Sequence, residues 1–351
     1  MREGRVLAVR RAWPGAVELD VTVDGAAAVA LAYPALVGDP EPGDRALLNT
    51  TAVALGLGTG GYHLVVALPD RPPPDAPPAG HLVKARYTPL QATVLGVSEP
   101  ASPWSAALAA ATSVDGMPVV VADLHSALPA VLAGIAERRP GTRVAYVMTD
   151  GGALPLWFSR TVAAVRPALA GTVTAGQAFG GDLEAVTLHE ALLAARVALG
   201  AEVAVVTQGP GNLGVGTPWG FSGVAAGDAV NAVAAVGGRP VASLRISAAD
   251  PRERHRGVSH HSRTAYGRVA LARADVVVPD LPEPLAGEVA ADLRDSGIAA
   301  RHDVVRVDAT GLREALRDSG FPLSTMGRGL DEDEAYFVAA AAAGRHAAGL
   351  L

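Results

Sequence analysis

From Met117 almost to its C-terminal end the chain alternates between short apolar runs and amphipathic stretches, which limits the possible folds more than any other feature. The strand-like runs are Met117–Ala122, Arg143–Met148, Thr172–Gln177, Glu202–Thr207, Pro240–Ile246, Asp275–Val278 and Val304–Val307. Their starts lie roughly 30 residues apart, the length of a βαβ unit. Helical periodicity fills the intervals, as in Leu128–Arg138, Leu183–Leu199 and Ser222–Val236. Regular alternation of this kind predicts a parallel sheet with helices on both faces. The runs are nearly all Val and Ala, as strands buried on both sides require. Residues 117–351 are therefore expected to form a doubly wound, Rossmann-like α/β domain that binds a ligand.

The first part of the chain reads differently. Arg5–Trp13, Ala16–Val23, Ala26–Leu31, Arg45–Asn49 and Tyr62–Leu68 are short β segments. They are separated by the turn signals Pro14-Gly15, Asp24-Gly25 and Glu41-Pro42-Gly43-Asp44. Residues 1–68 should form a small β-barrel or sandwich. Pro69–Gly80 is Pro-rich and reads as a semi-rigid linker. Residues 81–116 connect the two parts, with membership of either left open.

The net charge of −6 argues against a general nucleic-acid binder. No run of roughly eighteen apolar residues is present, so no membrane span is expected. The residues from Met1 to Trp13 lack the continuous apolar core of a signal peptide. There is no Cys, which excludes disulfides and thiolate metal sites and fits a cytoplasmic protein. Of 29 basic residues only Lys84 is Lys. A compact ammonium retained in a chain that otherwise uses Arg is a candidate substrate-binding group, against the plainer reading that one Lys survives by chance.

In open α/β sheets ligands bind outside the carboxyl ends of the strands. The loops entering the expected strands are plain, such as Arg139-Pro140-Gly141-Thr142 and Ala170-Gly171. The loops leaving them are Asp123-Leu124-His125-Ser126, Thr149-Asp150-Gly151-Gly152, Gly180-Gly181-Asp182, Gln208-Gly209-Pro210-Gly211-Asn212 and Ala249–Tyr266. Trp157, Phe158, Phe179, Trp219 and Phe221 lie in or just after these exits. Polar groups beside apolar walls are what a small-molecule pocket needs.

Asp123 and His125 could ligate a metal or pair as an oriented imidazole, or serve only as a helix cap and a packed ring. Asp150 before Gly-Gly could be a base, a metal ligand or a hydroxyl partner, or part of a tight turn. Gly209–Gly214 matches G-x-G-x-x-G, but its helix begins too late for a tight dinucleotide turn. Gln208, Gly209, Gly211 and Asn212 are better read as a backbone nest for an anion on a mobile Gly-rich loop. Gly56–Gly61 has the same pattern ahead of a strand and is set aside. Arg252–Arg263 is the densest chemical segment, with four Arg and three of the nine His. His260 and His261 should sit at a helix N-terminus, which keeps an imidazole neutral, with Arg256 and Arg263 as anion clamps. A solvated basic loop is the bland alternative. Asp182 reads as the cap of a long helix.

Asn49-Thr50-Thr51-Ala52, the Gly58–His63 segment, His81–Gln91, Gly180–Glu184 and Ser259-His260-His261-Ser262 together resemble an uncharacterised bacterial family, the "domain of unknown function 3866". The resemblance runs nearly end to end. It implies a bacterial intracellular protein and supplies no activity or catalytic residues.

The residues thus favour an enzyme acting on a small anionic metabolite, with Asp123, His125, Asp150, His260 and His261 as catalytic candidates. Lys84, Gln208, Gly209, Gly211, Asn212, Arg256 and Arg263 are the substrate-binding candidates. The alternative is a non-catalytic nucleotide- or metabolite-binding regulator. No cofactor or metal is specified by the sequence, no nucleic-acid or membrane partner is expected, and a homo-oligomer is left open.

Overall fold

The computed structural model describes residues 1–57, 60–75 and 80–351. Gly58-Thr59 of the set-aside Gly-rich match, and residues 76–79 of the Pro-rich stretch, lie outside the described residues. The chain divides into two units, Met1–Val94 with Trp157–Ala163, and Leu95–Leu156 with Ala164–Leu351.

The first unit is a closed five-stranded barrel of β1 (Arg2–Trp13), β2 (Ala16–Val23), β3 (Ala26–Ala32), β4 (Arg45–Asn49) and β5 (His63–Ala67), in the order β1-β2-β3-β5-β4. Turn chemistry sets its hairpins. Asp24 and Gly25 both take positive φ, the two-residue turn whose twist matches the flanking strands. Gly15 has φ +83°, and a Cβ there would fall 2.2 Å from the Trp157 ring. Val6, Leu19, Val21, Leu48 and Val65 fill the barrel. Arg45 and Arg71 tie the start of the Pro-rich stretch to the barrel through Asp70 and Glu41. A small antiparallel pair, β6 (Leu82–Lys84) and β7 (Ala92–Val94), belongs to this unit, so the connecting segment divides after Val94.

The second unit holds an eight-stranded sheet. Its strands are β8 (Pro118–Ala122), β9 (Val144–Thr149), β10 (Gly171–Thr174), β11 (Leu183–Glu184), β12 (Val203–Gln208), β13 (Arg239–Ser243), β16 (Asp275–Pro279) and β17 (Asp303–Val307). The order is β11-β10-β9-β12-β8-β13-β16-β17, and every pairing is parallel. Two short segments, β14 (Ile246–Ser247) and β15 (Gly257–Val258), pair antiparallel beside it.

Alternate strand residues serve opposite layers, as the two-residue period requires. Val119, Val121, Ala204 and Val206 pack with Leu192, Val230, Val233 and Val289 of helices Leu188–Val197, Ala225–Ala235 and Leu285–Asp295. Helices Leu128–Arg138 and Glu334–Gly349 pack on each other, and the latter on β8, β13 and β16. That helix pair is Ala-rich, and its close approach is made by two glycines. A Cβ on Gly134 would lie 1.9 Å from the Ala341 carbonyl oxygen, and one on Gly344 2.1 Å from that of Val131.

Asp182 does not cap a helix. Residues Leu183–Glu184 form an edge strand on β10, and the helix begins at Leu188. Its cap is Thr187, whose side chain accepts from the Glu190 N–H. The Glu190 carboxylate also accepts from the Val186 N–H, one residue before the cap. Asp182 instead accepts from the backbone and hydroxyl of Thr172 and from Arg166. A parallel edge strand of two residues has no periodicity to betray it, so the apolar run was read as helix.

Candidate functional site

The strand order places the site. From β8 the chain runs outward through β9, β10 and β11, returns as β12 beside β8, then crosses to β13 and continues away through β16 and β17. The winding direction therefore reverses around β8. A crevice at such a switch point is the usual ligand position in this architecture. The three strands there, β12, β8 and β13, end at Gln208, Ala122 and Ser243. Their exits carry Gln208, Asp123 and Arg245.

Asp123 follows β8 directly and is 2% exposed. Gln208 donates from Nε2 to the Asp123 carbonyl oxygen at 2.9 Å and so fixes that turn. The Asp123 Oδ2 atom is buried with no hydrogen-bond partner. It stands 3.7 Å from His261 Nδ1, beyond hydrogen-bond range. Gln208 Oε1 is also buried and unpartnered, and a Cβ on Gly151 would lie 2.6 Å from it. Gly151 and Gly152 thus let the loop after β9 pack on Gln208 and Gly209, which is a structural use of both glycines.

The long exit from β13 brings three histidines together. Glu253–His255 is one helical turn, β15 follows, and Ser259 caps the short helix His260–Thr264. Ser259 Oγ accepts from the His261 N–H at 3.2 Å and also bonds His255 Nδ1 at 2.7 Å. That one hydroxyl caps the helix at the His261 backbone and orients the His255 ring. Ring centroids lie 4.9 Å apart for His255 and His260, 4.9 Å for His255 and His261, and 4.4 Å for His260 and His261. Phe221 stacks on His261 at 3.9 Å with planes 4° apart. Asn212 bridges from the Gly-rich loop. Its Oδ1 accepts from Ser222 Oγ and the Gly223 N–H, which leaves Nδ2 to donate to His261 Nδ1 at 3.1 Å.

Burial, then the positive charges of Arg245 and Arg252, push His255 down to about 2. Burial, then His261 and Arg254, push His260 down to about 4, with Asp123 opposing. Both rings are neutral at pH 7 and keep a lone pair for a proton or a cation. His260 Nε2 is buried without a partner. One ring nitrogen from each of His255, His260 and His261 lies within 4.8 Å of the other two, so these residues could hold a metal ion.

The histidines open onto a hollow of about 120 Å³ lined also by Asn212, Leu213, Phe221, Arg245, Arg252 and Arg254. Arg245 and Arg252 are held from behind by Asp250, at 3.1 and 2.8 Å. Arg328 joins the same carboxylate at 3.2 Å and also binds Asp333. Arg254 is exposed and, among the described residues, has no carboxylate partner. Residues 213–221 form a finger over the hollow, closed by the Val215 N–H to the Gly220 carbonyl. Leu213, Val215 and Trp219 are exposed on it.

Other expected site residues lie elsewhere. His125 is buried and bonds Tyr146 Oη at 2.8 Å, and Tyr146 continues to Thr207. Burial pushes this ring down to about 4 against the backbone of Gln208, so it is a neutral member of a core network. Asp150 is exposed after β9, one strand beyond β12, and accepts from the Gln177 N–H at 2.8 Å. Arg263 pairs with Asp292 at 3.0 Å. Arg256 is exposed and donates to the Ala248 carbonyl. Gly209 packs on Ala153, while Gly211 takes φ +89° with open space beside it. Lys84 is fully buried in the first unit.

Sequence reasoning missed four groups at the hollow. His255 counts among the three histidines of the dense segment but receives no role there, although the spacing His-x4-His-His sets it beside the other two. Arg245, Arg252 and Arg254 line the hollow in place of Arg256 and Arg263, because spacing does not show which arginines the fold turns toward it.

Among the described residues no helix is long and apolar enough to cross a membrane. No curated protein and no solved structure matches the chain. The family described as "Protein of unknown function (DUF3866)" matches residues 29–344. That match spans the barrel from β3 onward, the whole sheet and all three histidines, and the chain belongs to this family.

Proposed function

We propose that the protein is a cytoplasmic enzyme acting on a small anionic metabolite, a carboxylate or phosphate ester, bound in the hollow at the switch point. The observation that carries this reading is the pair of unpartnered buried atoms, Asp123 Oδ2 and His260 Nε2, on two adjacent exits of one sheet. Each such atom costs the fold about 1–3 kcal/mol. Such groups persist where a ligand completes them. Asp123 and His260 have the chemistry to move protons, with Arg254 free to meet an anion and Phe221 as an apolar wall. Asn212 and Ser259 hold the histidines in place.

The test is a thermal-shift screen of anionic metabolites, with and without divalent metal ions, followed by turnover assays on each hit. Hits that shift the parent but not Asp123→Asn or His260→Ala, and that are converted, support the enzyme. Hits bound through these residues but left unchanged would make the protein a regulatory binder. The absence of any shift that depends on these residues would overturn the reading.

A further inference from the structure

The three histidines can be taken further, because their arrangement is poorly explained by packing. Three imidazoles meet with centroids 4.4 to 4.9 Å apart and planes 46° to 86° from one another, and no two of them share a hydrogen bond among those described. Each ring has one nitrogen accounted for or one left over. His255 commits Nδ1 to Ser259, which leaves Nε2. His260 Nε2 is buried and without a partner. His261 Nδ1 accepts from the Asn212 amide at 3.1 Å and faces Asp123 Oδ2 at 3.7 Å. That last separation is too long for a hydrogen bond and close to the spacing of two atoms bound to one ion. With ligand bonds of roughly 2.1 Å, neighbouring donors in a four-coordinate site stand roughly 3.4 Å apart.

We propose that His255, His260 and His261 form a centre for one first-row divalent transition metal ion, with Asp123 beside it carrying the balancing negative charge. The donor set decides the class of ion. Imidazole nitrogens suit zinc and its neighbours, whereas magnesium and calcium need a cage of oxygens. Ser259 gives His255 the second-layer contact that metal-bound histidines require, whereas the Asn212 amide must release His261 Nδ1 before that nitrogen can bind an ion. Of the arginines nearby, Asp250 holds Arg245 and Arg252, while the exposed Arg254 faces the same hollow and opposes a cation, a charge that Asp123 must offset. The present nitrogen separations, up to 4.8 Å, must contract by up to about 1.4 Å on binding.

This inference rests on reading the hollow as a working site, but metal binding is measured without any metabolite. The full chain, freed of metal with a chelator, is titrated with Co2+ and, in competition, with Zn2+. The expected result is one ion per chain and an intense visible Co2+ spectrum from nitrogen ligation. His255→Gln and His260→Gln should each weaken binding by at least about 100-fold, while His189→Gln, on an exposed helix face, leaves it unchanged. If either variant misfolds, the parent still decides. Stoichiometric Zn2+ should protect His260, and not His189, from carbethoxylation read by peptide mass. No stoichiometric binding, binding unaltered in both variants, or equal modification of His260 with and without Zn2+ would overturn the centre. The metabolite reading is judged separately, by whether hits from the screen run in chelator depend on Asp123 and His260.

Discussion

Asp123 Oδ2 is buried without a hydrogen-bond partner, and a group in that state weakens the fold that holds it. Asp123→Asn removes the charge at nearly constant volume. The variant should melt at the parent's temperature or above it, and should no longer respond to ligands of the hollow. Paired melting curves check both halves. Asp250 is the opposite case, a buried carboxylate with every need met. Burial alone would raise its pKa, but the Arg252 hydrogen bonds and the charges of Arg252 and Arg245 outweigh that and depress it. A depressed folded-state value means stability that is complete above the unfolded value of roughly 3.9 and is lost as pH falls through the folded one. Asp250→Asn should therefore cost about 3–5 kcal/mol at pH 7, as expected for breaking a buried pair. The gap to the parent should narrow steadily below about pH 4. Urea melts across that range provide the measurement. Lys84 is fully buried in the barrel unit. Lys84→Arg forces a broader planar group into the same slot and should cost about 1–3 kcal/mol, read in the same way.

At the scale of elements, the helix pair Leu128–Arg138 and Glu334–Gly349 depends on two reciprocal glycines. Gly134→Ala improves helix propensity on its own but drives a methyl group into the Ala341 carbonyl. The clash should win, lowering stability by about 1–3 kcal/mol in denaturant unfolding. A gain would show that the helices can separate at no cost. Elements were also where the sequence was most and least legible. The central strands were evident because Val-rich runs buried on both faces stand out between amphipathic helices. The two-residue strand Leu183–Glu184 was not, since nothing in so short a segment distinguishes it from the first turn of a helix. The histidine segment was legible as chemistry, but its shape was not. His255 and His260 meet only because β15 and the Ser259 cap fold the chain back within five residues.

For the whole molecule, the alternation of elements predicts the parallel sheet that is found, but not the order of its strands. Parallel neighbours are joined through distant crossovers, so local pattern carries no record of which strands adjoin. That order is what separates Asp150, one strand out and engaged with the backbone of Gln177, from Asp123 at the switch point. It also yields a contrast between the two edges. Asn212→Ala at the carboxyl edge should weaken ligand binding at least about tenfold through loss of its grip on His261 and the finger. Thr142→Ala at the opposite edge, where its hydroxyl bonds only the Arg139 carbonyl, should leave binding unchanged. Isothermal titration of both variants against the parent makes the comparison.

The finger over the hollow has a further consequence, an optical one. The chain has four Trp, and Trp219 on this finger is 55% exposed while the other three are half-buried. The Arg268 guanidinium lies 5.7 Å from its ring centre. An indole in that position emits at long wavelength, and a nearby cation perturbs it. Any occupant that draws the finger down moves Trp219 into a drier setting and shifts its emission to the blue. The protein thus carries its own fluorescent gauge of occupancy, and Trp219→Phe, by silencing that signal alone, identifies its source.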